Sequence, residues 1–310
     1  ETEERLGDGR SEGRNVRARI EPPAAPPAVP HGTLFVDAAN GFNELGRKAM
    51  LWTVRHLWPS GSRFAFNCYR HSAQLILRRD SGECETLLSR EGVTQGDPLS
   101  MVLYGLALVP LAEQLREACP GTIQGWYADD CAFTGAVTGI GRAMRLLNQL
   151  GPARGYFPEP EKSILVAREA DSERVKEILA EFNFQYRAGS RYIGGFIGNE
   201  ASLQLFLNDK IDGWVESVKI FAKAARRYPQ SAYTGLTTSL QMEWSYLQRV
   251  VPDASKYFGP VEEAIAKQFL PALIGSSITT TARELMGYPV RLAGLGIPDP
   301  TTADHQFKTS

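Results

Sequence analysis

The sequence predicts an α+β fold built from two regions of different character. Strand-like and helix-like patterns alternate from Gly32 to about residue 200, and from Ala201 onward the apolar residues recur at mostly helical spacing. A third observation sets the scale. With 310 residues and 43% hydrophobic content, the chain can bury one large core or two to three smaller ones.

Residues 1–31 pass from Arg, Glu and Gly to Pro and Ala ("RARIEPPAAPPAVPH"), a linker-like or disordered lead-in rather than a packed element. "TLFVD" then reads as a short apolar strand ending in an acid, and Asn43 to Trp58 carries Leu45, Ala49, Val54 and Leu57 on a rough helical face. Residues 73–90 read as a hairpin, "AQLILRR" and "ETLLSR" around "DSGE". After "EGVTQGDP" the spacing predicts a long apolar helix from about Leu99 to Ala118, capped by Asp97 with Pro98 at its first position. "GWYADDCAF" predicts a strand, a tight turn and a returning strand. A helix near 138–150, a strand at 163–167, a helix near 171–182 and a strand at 192–198 complete the first region. Helical patterns at 204–227, 231–249 and 254–272 form the second, which ends in "YPVRLAGLGIPDP".

Composition excludes several classes. No apolar run approaches the roughly 18 residues a membrane span needs, and Glu1 to Arg19 is charged and lacks a signal-peptide core. The expectation is an intracellular protein, nuclear or cytoplasmic, neither secreted nor in a membrane. Cys68, Cys84, Cys119 and Cys131 show no CxxC spacing and do not pair with the four histidines at zinc-site intervals, so they read as reduced and structural. A net charge of −1 decides nothing about nucleic acid, because binding depends on where the basic groups sit.

Asp129 and Asp130 follow an apolar and aromatic run, where a buried acid is costly unless it is paired, protonated or metal-bound. The pair is therefore either a solvated turn or a site. Asp37 ends a strand 92 positions earlier, and it too could serve as a helix cap or turn acid. If the two strands are neighbours in a sheet, Asp37 and Asp129, with Asp130 as a third candidate, converge on a spot suited to hard, oxygen-liganded cations such as Mg²⁺. Two such ions about 4 Å apart serve phosphoryl transfer.

Taken together, five ordered blocks resemble the reverse transcriptase palm of retroelements. "FVDAANGFN" is similar to the first palm block, with Phe42 as its aromatic; "GVTQGDPLS" to the second; "YADD" to the third; "GYFPEPEKS" with Lys162 to the fourth; and "YIGGFIG" to the primer-gripping hairpin of the fifth. "FVDAANGFN", "TQGDP" and "LAGLGIPDP" look most like retrotransposon polymerases. The resemblance implies a palm over 32–200, an antiparallel sheet backed by helices, followed by a helical thumb or connection region over 201–310. It implies RNA-directed DNA synthesis from an RNA template, a DNA primer and dNTPs. Asp37, Asp129, Asp130 and the Ala38 carbonyl would hold two Mg²⁺ ions, with Mn²⁺ as a substitute. Phe42, Gln95 and Gly96 would meet the nucleotide, and Lys162 would neutralise or protonate the leaving pyrophosphate. Gly194 and Gly195 would meet the primer, and Lys219, Lys223, Arg226 and Arg227, largely on one helical face, would meet duplex phosphates.

One departure bears on activity. The resemblance calls for a fingers subdomain ahead of the first block, and the 31 residues there, with Arg14, Arg17 and Arg19, hold too few apolar residues to fold as one. The sequence-level expectation is a truncated or decayed copy, weak as a polymerase. Two alternatives stand beside it: a catalytically inactive palm that binds nucleic acid or protein, and an RNA-dependent RNA polymerase, disfavoured by Phe42.

Overall fold

Strand β1 (His31–Val36) is the middle strand of a five-stranded sheet, and its composition explains why. Leu34 and Val36 are buried on one face and Thr33 and Phe35 on the other, as a strand covered on both sides requires. The computed structural model describes residues 29–302; nearly all of the linker-like segment, with Arg14, Arg17 and Arg19, lies outside them.

The chain continues through α1 (Gly41–Glu44), α2 (Arg47–Leu57), α3 (Pro59–Tyr69), β2 (Ala73–Arg78) and β3 (Cys84–Ser89). Next come α4 (Ser100–Ala118), β4 (Thr122–Tyr127), β5 (Asp130–Ala136), α5 (Val137–Leu150), β6 (Ile164–Ala167) and α6 (Ser172–Ile178), followed by β7 (Gln185–Arg187), β8 (Gly189–Tyr192) and β9 (Gly195–Gly198). The sheet order is β4-β5-β1-β6-β7, antiparallel except for the parallel pair β6 and β7; β2-β3 and β8-β9 are separate hairpins. Leu34, Val36, Cys131, Phe133 and Leu165 bury one face of the sheet in a core with α4 and α5. On the opposite face Phe35, Ala132 and Val166 form a small cluster that the β8-β9 hairpin covers, with the Tyr192 ring stacked on Phe35 at 4.4 Å.

The remainder is helical and has its own core. α7 (Glu200–Ala225), α8 (Pro229–Gly235), α9 (Gln241–Val250), α10 (Gly259–Ala264), α11 (Leu270–Ile274) and α12 (Thr280–Gly287) enclose Leu207, Trp214, Leu236, Trp244, Phe258 and Phe269. Asn199 caps α7 by accepting from the Ser202 amide, so this helix starts at a sequence-encoded boundary. Among the described residues no helix is long and apolar enough to cross a membrane. All four cysteines are free, Cys119 and Cys131 buried and Cys68 and Cys84 exposed.

Several elements differ from the sequence reading. The helix expected over 43–58 is broken at Leu45–Gly46, where the Gly46 amide donates to the Arg154 carbonyl and the Leu45 carbonyl accepts from Gly92, so these groups serve neighbours instead of a helix. Helix α3 has no apolar periodicity to mark it, because its large apolar residues Phe64 and Phe66 face solvent while Gly61 and Ala65 face inward. β7 and α12 are too short to carry a periodic signal, and β7 makes the sheet mixed instead of the antiparallel one expected. The Asp97 cap is displaced: α4 begins at Ser100, and the Asp97 carboxylate accepts from the Leu99 amide in an Asx-type turn with Pro98 outside the helix.

One buried cation organises the region before α4. Arg47 Nε donates to the Gly92 carbonyl, Nη1 to the carbonyls of His71 and Ser89, and Nη2 to Ser89 Oγ, while the guanidinium lies over the Tyr69 ring. The planar fork thereby ties α2 to the base of the β2-β3 hairpin and to the segment leading into "TQGDP". A lysine cannot reach these acceptors together, and each carbonyl left unpaired costs about 1–3 kcal/mol. Arg47→Lys is expected to lower the melting temperature and to speed amide exchange over residues 91–97. An unchanged melt and exchange pattern would show that the fork does not hold this loop.

Candidate active site

The register of the sheet decides which acids meet. Val36 pairs with Cys131 and Tyr127 with Asp130, so the end of β1 and the start of β5 lie side by side, with Asp37 just beyond one and Asp130 beginning the other. Asp129 sits in the two-residue turn between β4 and β5. The first turn residue, Ala128, has φ +53°, a left-handed conformation that costs a residue with a Cβ and recurs at functional sites. Tyr156, fully buried, donates its hydroxyl to the Asp129 carbonyl at 2.9 Å and fixes the turn from within the core. Room for the Asp129 side chain comes from Gly41, where a Cβ would stand 2.7 Å from both Asp129 Cβ and Tyr104 Oη.

Asp37 is held by the loop before β6. Its amide donates to Ser163 Oγ at 3.2 Å and its carbonyl accepts from the Glu159 amide at 2.8 Å, while the Ala39 amide donates to the Phe157 carbonyl. These bonds make an isolated antiparallel bridge between Ala38 and Pro158. In such a bridge the N–H and C=O of Ala38 itself point away from the partner, toward the side of the sheet on which β5 lies. Ala38 thus offers its carbonyl to the same edge as the acids.

The electrostatics of these groups are coupled. Burial first, then the neighbouring Glu159 carboxylate and Asp129, push the Asp37 carboxyl above its usual range, with Lys162 opposing. Burial, Asp129 and Asp37 raise Asp130. Glu159, which the sequence reading passed over inside "FPEPEK", is therefore a fourth carboxylate in the cluster. Among the described residues no three such side chains stand together at metal-ligating distance. The donor set nevertheless fits a hard divalent cation: carboxylate oxygens whose mutual repulsion a cation relieves, and one main-chain carbonyl.

The other sequence-predicted residues fall into distinct places. Phe42 is half-buried beside the acids, its ring stacked on Tyr104 at 4.7 Å and its carbonyl accepting from the Val93 amide. Gln95 and Gly96 are exposed on a turn closed by the Asp97 amide and the Thr94 carbonyl, with Gly96 at φ +93°, and the Tyr69 hydroxyl donates to the Asp97 carboxylate behind them. Lys162 is exposed and paired with Glu159 at 2.7 Å; that hydrogen bond, then the charges of Glu159 and Asp37, hold its ammonium above the usual value. It lines a cleft of about 650 Å³ with Arg145, Asn148 and Glu181, and it reaches the acids electrostatically through Asp37.

Gly194 and Gly195 lie at the tip of the β8-β9 hairpin, a two-residue turn in which Ile193 (φ +46°) and Gly194 (φ +77°) are both left-handed. The tip is clamped by α9: Tyr246 donates its hydroxyl to the Ile193 carbonyl, its ring lies 2.9 Å from where a Gly194 Cβ would stand, and Val250 abuts Gly195. Lys219, Lys223 and Arg226 share one groove with Lys267 and Gln268, a basic group that the sequence reading missed because it comes from a different helical segment. Arg227 does not join them; its guanidinium lies over the adjacent Tyr228 ring.

Because the folded-state pKa of Asp130 is raised, its ionisation opposes folding: stability is lost as pH rises through that raised value and regained as pH falls toward the ordinary 3.8. In metal-free buffer Asp130→Asn is therefore expected to melt higher than the parent at pH 7, with the difference shrinking as the pH is lowered toward 4. A gain that stays constant over this range would remove the repulsion argument.

No protein-family profile matches the sequence, and no curated protein matches it significantly. Among solved structures, the chain resembles telomerase from Candida albicans in complex with the TWJ fragment of telomeric RNA, at 10% identity and a TM-score of 0.50 over 91% of this chain and 46% of that one. It also aligns with apo telomerase from Candida tropicalis (9% identity, TM-score 0.44, 80% of this chain and 48% of that one) and with its form truncated from the C-terminal domain (15% identity, TM-score 0.43, 55% and 34%). The chain spans less than half the length of these telomerases. At 10% identity the first likeness speaks to fold alone, a mixed α+β region followed by a helical one, an arrangement consistent with a polymerase palm.

Proposed function

We propose that this chain is the palm and thumb portion of an RNA-directed DNA polymerase of the retrotransposon type, extending a DNA primer along an RNA template. The observation that carries the reading is the meeting of Asp37 with Asp129 and Asp130 at one end of neighbouring strands, where burial raises the pKa of Asp37 and Asp130, the charge of Asp129 adds to both shifts, and that of Asp37 adds to the shift of Asp130. An arrangement that crowds carboxylates against their own repulsion suits a cation-dependent reaction on phosphates.

In this reading Asp37, Asp129, Asp130 and the Ala38 carbonyl hold two Mg²⁺ ions, or Mn²⁺ in their place. When bound, those ions activate the primer 3′-hydroxyl and stabilise the leaving pyrophosphate oxygen. The remaining work falls to the chain. Lys162, kept protonated by Glu159 and Asp37, meets charge on the triphosphate or protonates the leaving group. Phe42 lies under the sugar of the incoming dNTP, and the exposed Gln95–Gly96 turn faces template and nucleotide, where a glycine lets the backbone approach closely. The glycines of the β8-β9 hairpin meet the primer, and the Lys219, Lys223, Arg226 and Lys267 groove meets phosphates of the product duplex.

Primer extension on an RNA template tests the reading. Asp37→Asn and Asp129→Asn are expected to remove Mg²⁺-dependent incorporation while leaving the melting temperature in metal-free buffer the same or higher, since neither opens a cavity. Near-parental extension by either variant would overturn the proposal, and a parent without extension that still binds RNA would favour an inactive binding module.

Sugar choice gives a second test. Overlap of a 2′-hydroxyl with the Phe42 ring costs roughly 1–3 kcal/mol, so Phe42→Val should narrow the ratio of kcat/KM for dNTP over rNTP by about 10- to 100-fold while dNTP use is largely kept. An unchanged ratio, or a parent that uses both sugars equally, would favour RNA polymerisation instead.

A further inference from the structure

Helix α4 places one polar atom where the folding of this chain alone gives it no use. Tyr104 is wholly buried, and its hydroxyl finds no hydrogen-bond partner among the described residues. A buried hydroxyl without a partner is uncommon and destabilising, and it calls for an explanation. The surroundings supply one. The Tyr104 ring is stacked beneath Phe42, and its Oη and the Asp129 Cβ each stand 2.7 Å from the point where a Gly41 Cβ would be, so the two atoms lie within twice that distance of each other. The Asp129 carboxylate begins one bond beyond that Cβ, and rotation about its side-chain bonds can bring an oxygen within hydrogen-bonding reach of the phenol. The same residue is already held through its main-chain carbonyl by the Tyr156 hydroxyl.

We infer that Tyr104 is a positioning residue for cation binding: its O–H donates to the Asp129 carboxylate when that side chain turns to ligate a divalent ion, and it stands unpaired otherwise. Two tyrosines then fix the acid, Tyr156 by its backbone and Tyr104 by its side chain. The hydrogen bond orients one carboxylate oxygen and leaves the other for the ion, the usual part of an outer-sphere donor at a metal site. The inference rests on the two-cation reading given above. It assigns Tyr104 a duty distinct from that of Phe42, because removing the hydroxyl preserves the aromatic stack.

The test uses the full chain and a conservative variant, Tyr104→Phe, with Mn²⁺ binding followed by electron paramagnetic resonance of the free ion and with thermal melts in metal-free buffer. The expected signature has opposite signs. Removing an unpaired buried hydroxyl raises the metal-free melting temperature by about 2–4 °C, while loss of the outer-sphere donor weakens Mn²⁺ binding about 10- to 100-fold. The dNTP to rNTP preference stays parental. A purely structural tyrosine would give a lower melting temperature and no selective loss of affinity, and either that result or an unchanged Mn²⁺ affinity overturns the inference. Asp129→Asn separates this failure from that of the parent reading: if the parent binds no Mn²⁺ that Asp129→Asn abolishes, the cation site itself is wrong, whereas intact parental binding that Tyr104→Phe leaves untouched rejects only the role of Tyr104.

Discussion

Carboxylates brought together at the end of one sheet repel, and the architecture around them is arranged to resist that repulsion. Asp37 cannot drift from β5, because its amide and carbonyl are tied to Ser163 and Glu159. Asp129 cannot relax outward, because Tyr156 holds its carbonyl and the turn before it is kept in a left-handed conformation at Ala128. The strand register does the rest. With Val36 opposite Cys131, a slip of one residue would turn Leu34 and Val36 out of the core, so burial on one face of β1 fixes where the acids stand. Hydrophobic packing, which is indifferent to charge, thereby enforces a charge arrangement that would not persist by itself.

Some of this was legible in the sequence. A strand ending in Asp37 and a tight turn carrying Asp129 are local patterns, and the assumption that their strands are neighbours needs only the short connections of a single sheet. What stayed hidden are residues whose meaning arises where distant segments touch. Gly41 carries no signal of its own in the sequence; its role comes from Asp129 and Tyr104 packed against it. Nothing local to Arg47 announces that its fork closes on three carbonyls from 24 to 45 positions away. Periodicity also misleads where a face is inverted, as in α3, whose phenylalanines point outward. Spacing places Lys219, Lys223 and Arg226 on one face at the end of α7, but it cannot show that Lys267 shares the groove or that Arg227 turns to Tyr228.

Two hairpin tips in this protein share one construction, and the parallel explains how the two cores are joined. At each tip a residue with a side chain occupies the left-handed region, Ala128 in one and Ile193 in the other, where glycine would sit without strain. At each, a tyrosine hydroxyl donates to a main-chain carbonyl of the turn, Tyr156 to Asp129 and Tyr246 to Ile193. A glycine would relieve the strain but enlarge the conformations open to the turn; a strained residue pinned by a tyrosine gives one conformation and keeps it. The difference lies in where the tyrosine comes from. Tyr156 belongs to the sheet's own core, so the acid-bearing tip moves with the sheet, whereas Tyr246 belongs to α9 in the helical region. The β8-β9 hairpin is thus gripped from both sides, by Tyr246 at its tip and by the stack of Tyr192 on Phe35 in β1. Phe35 stands two residues before Asp37 on the same strand. One hydrogen bond and one aromatic stack therefore connect α9, through the β8-β9 hairpin, to the strand that carries the first acid.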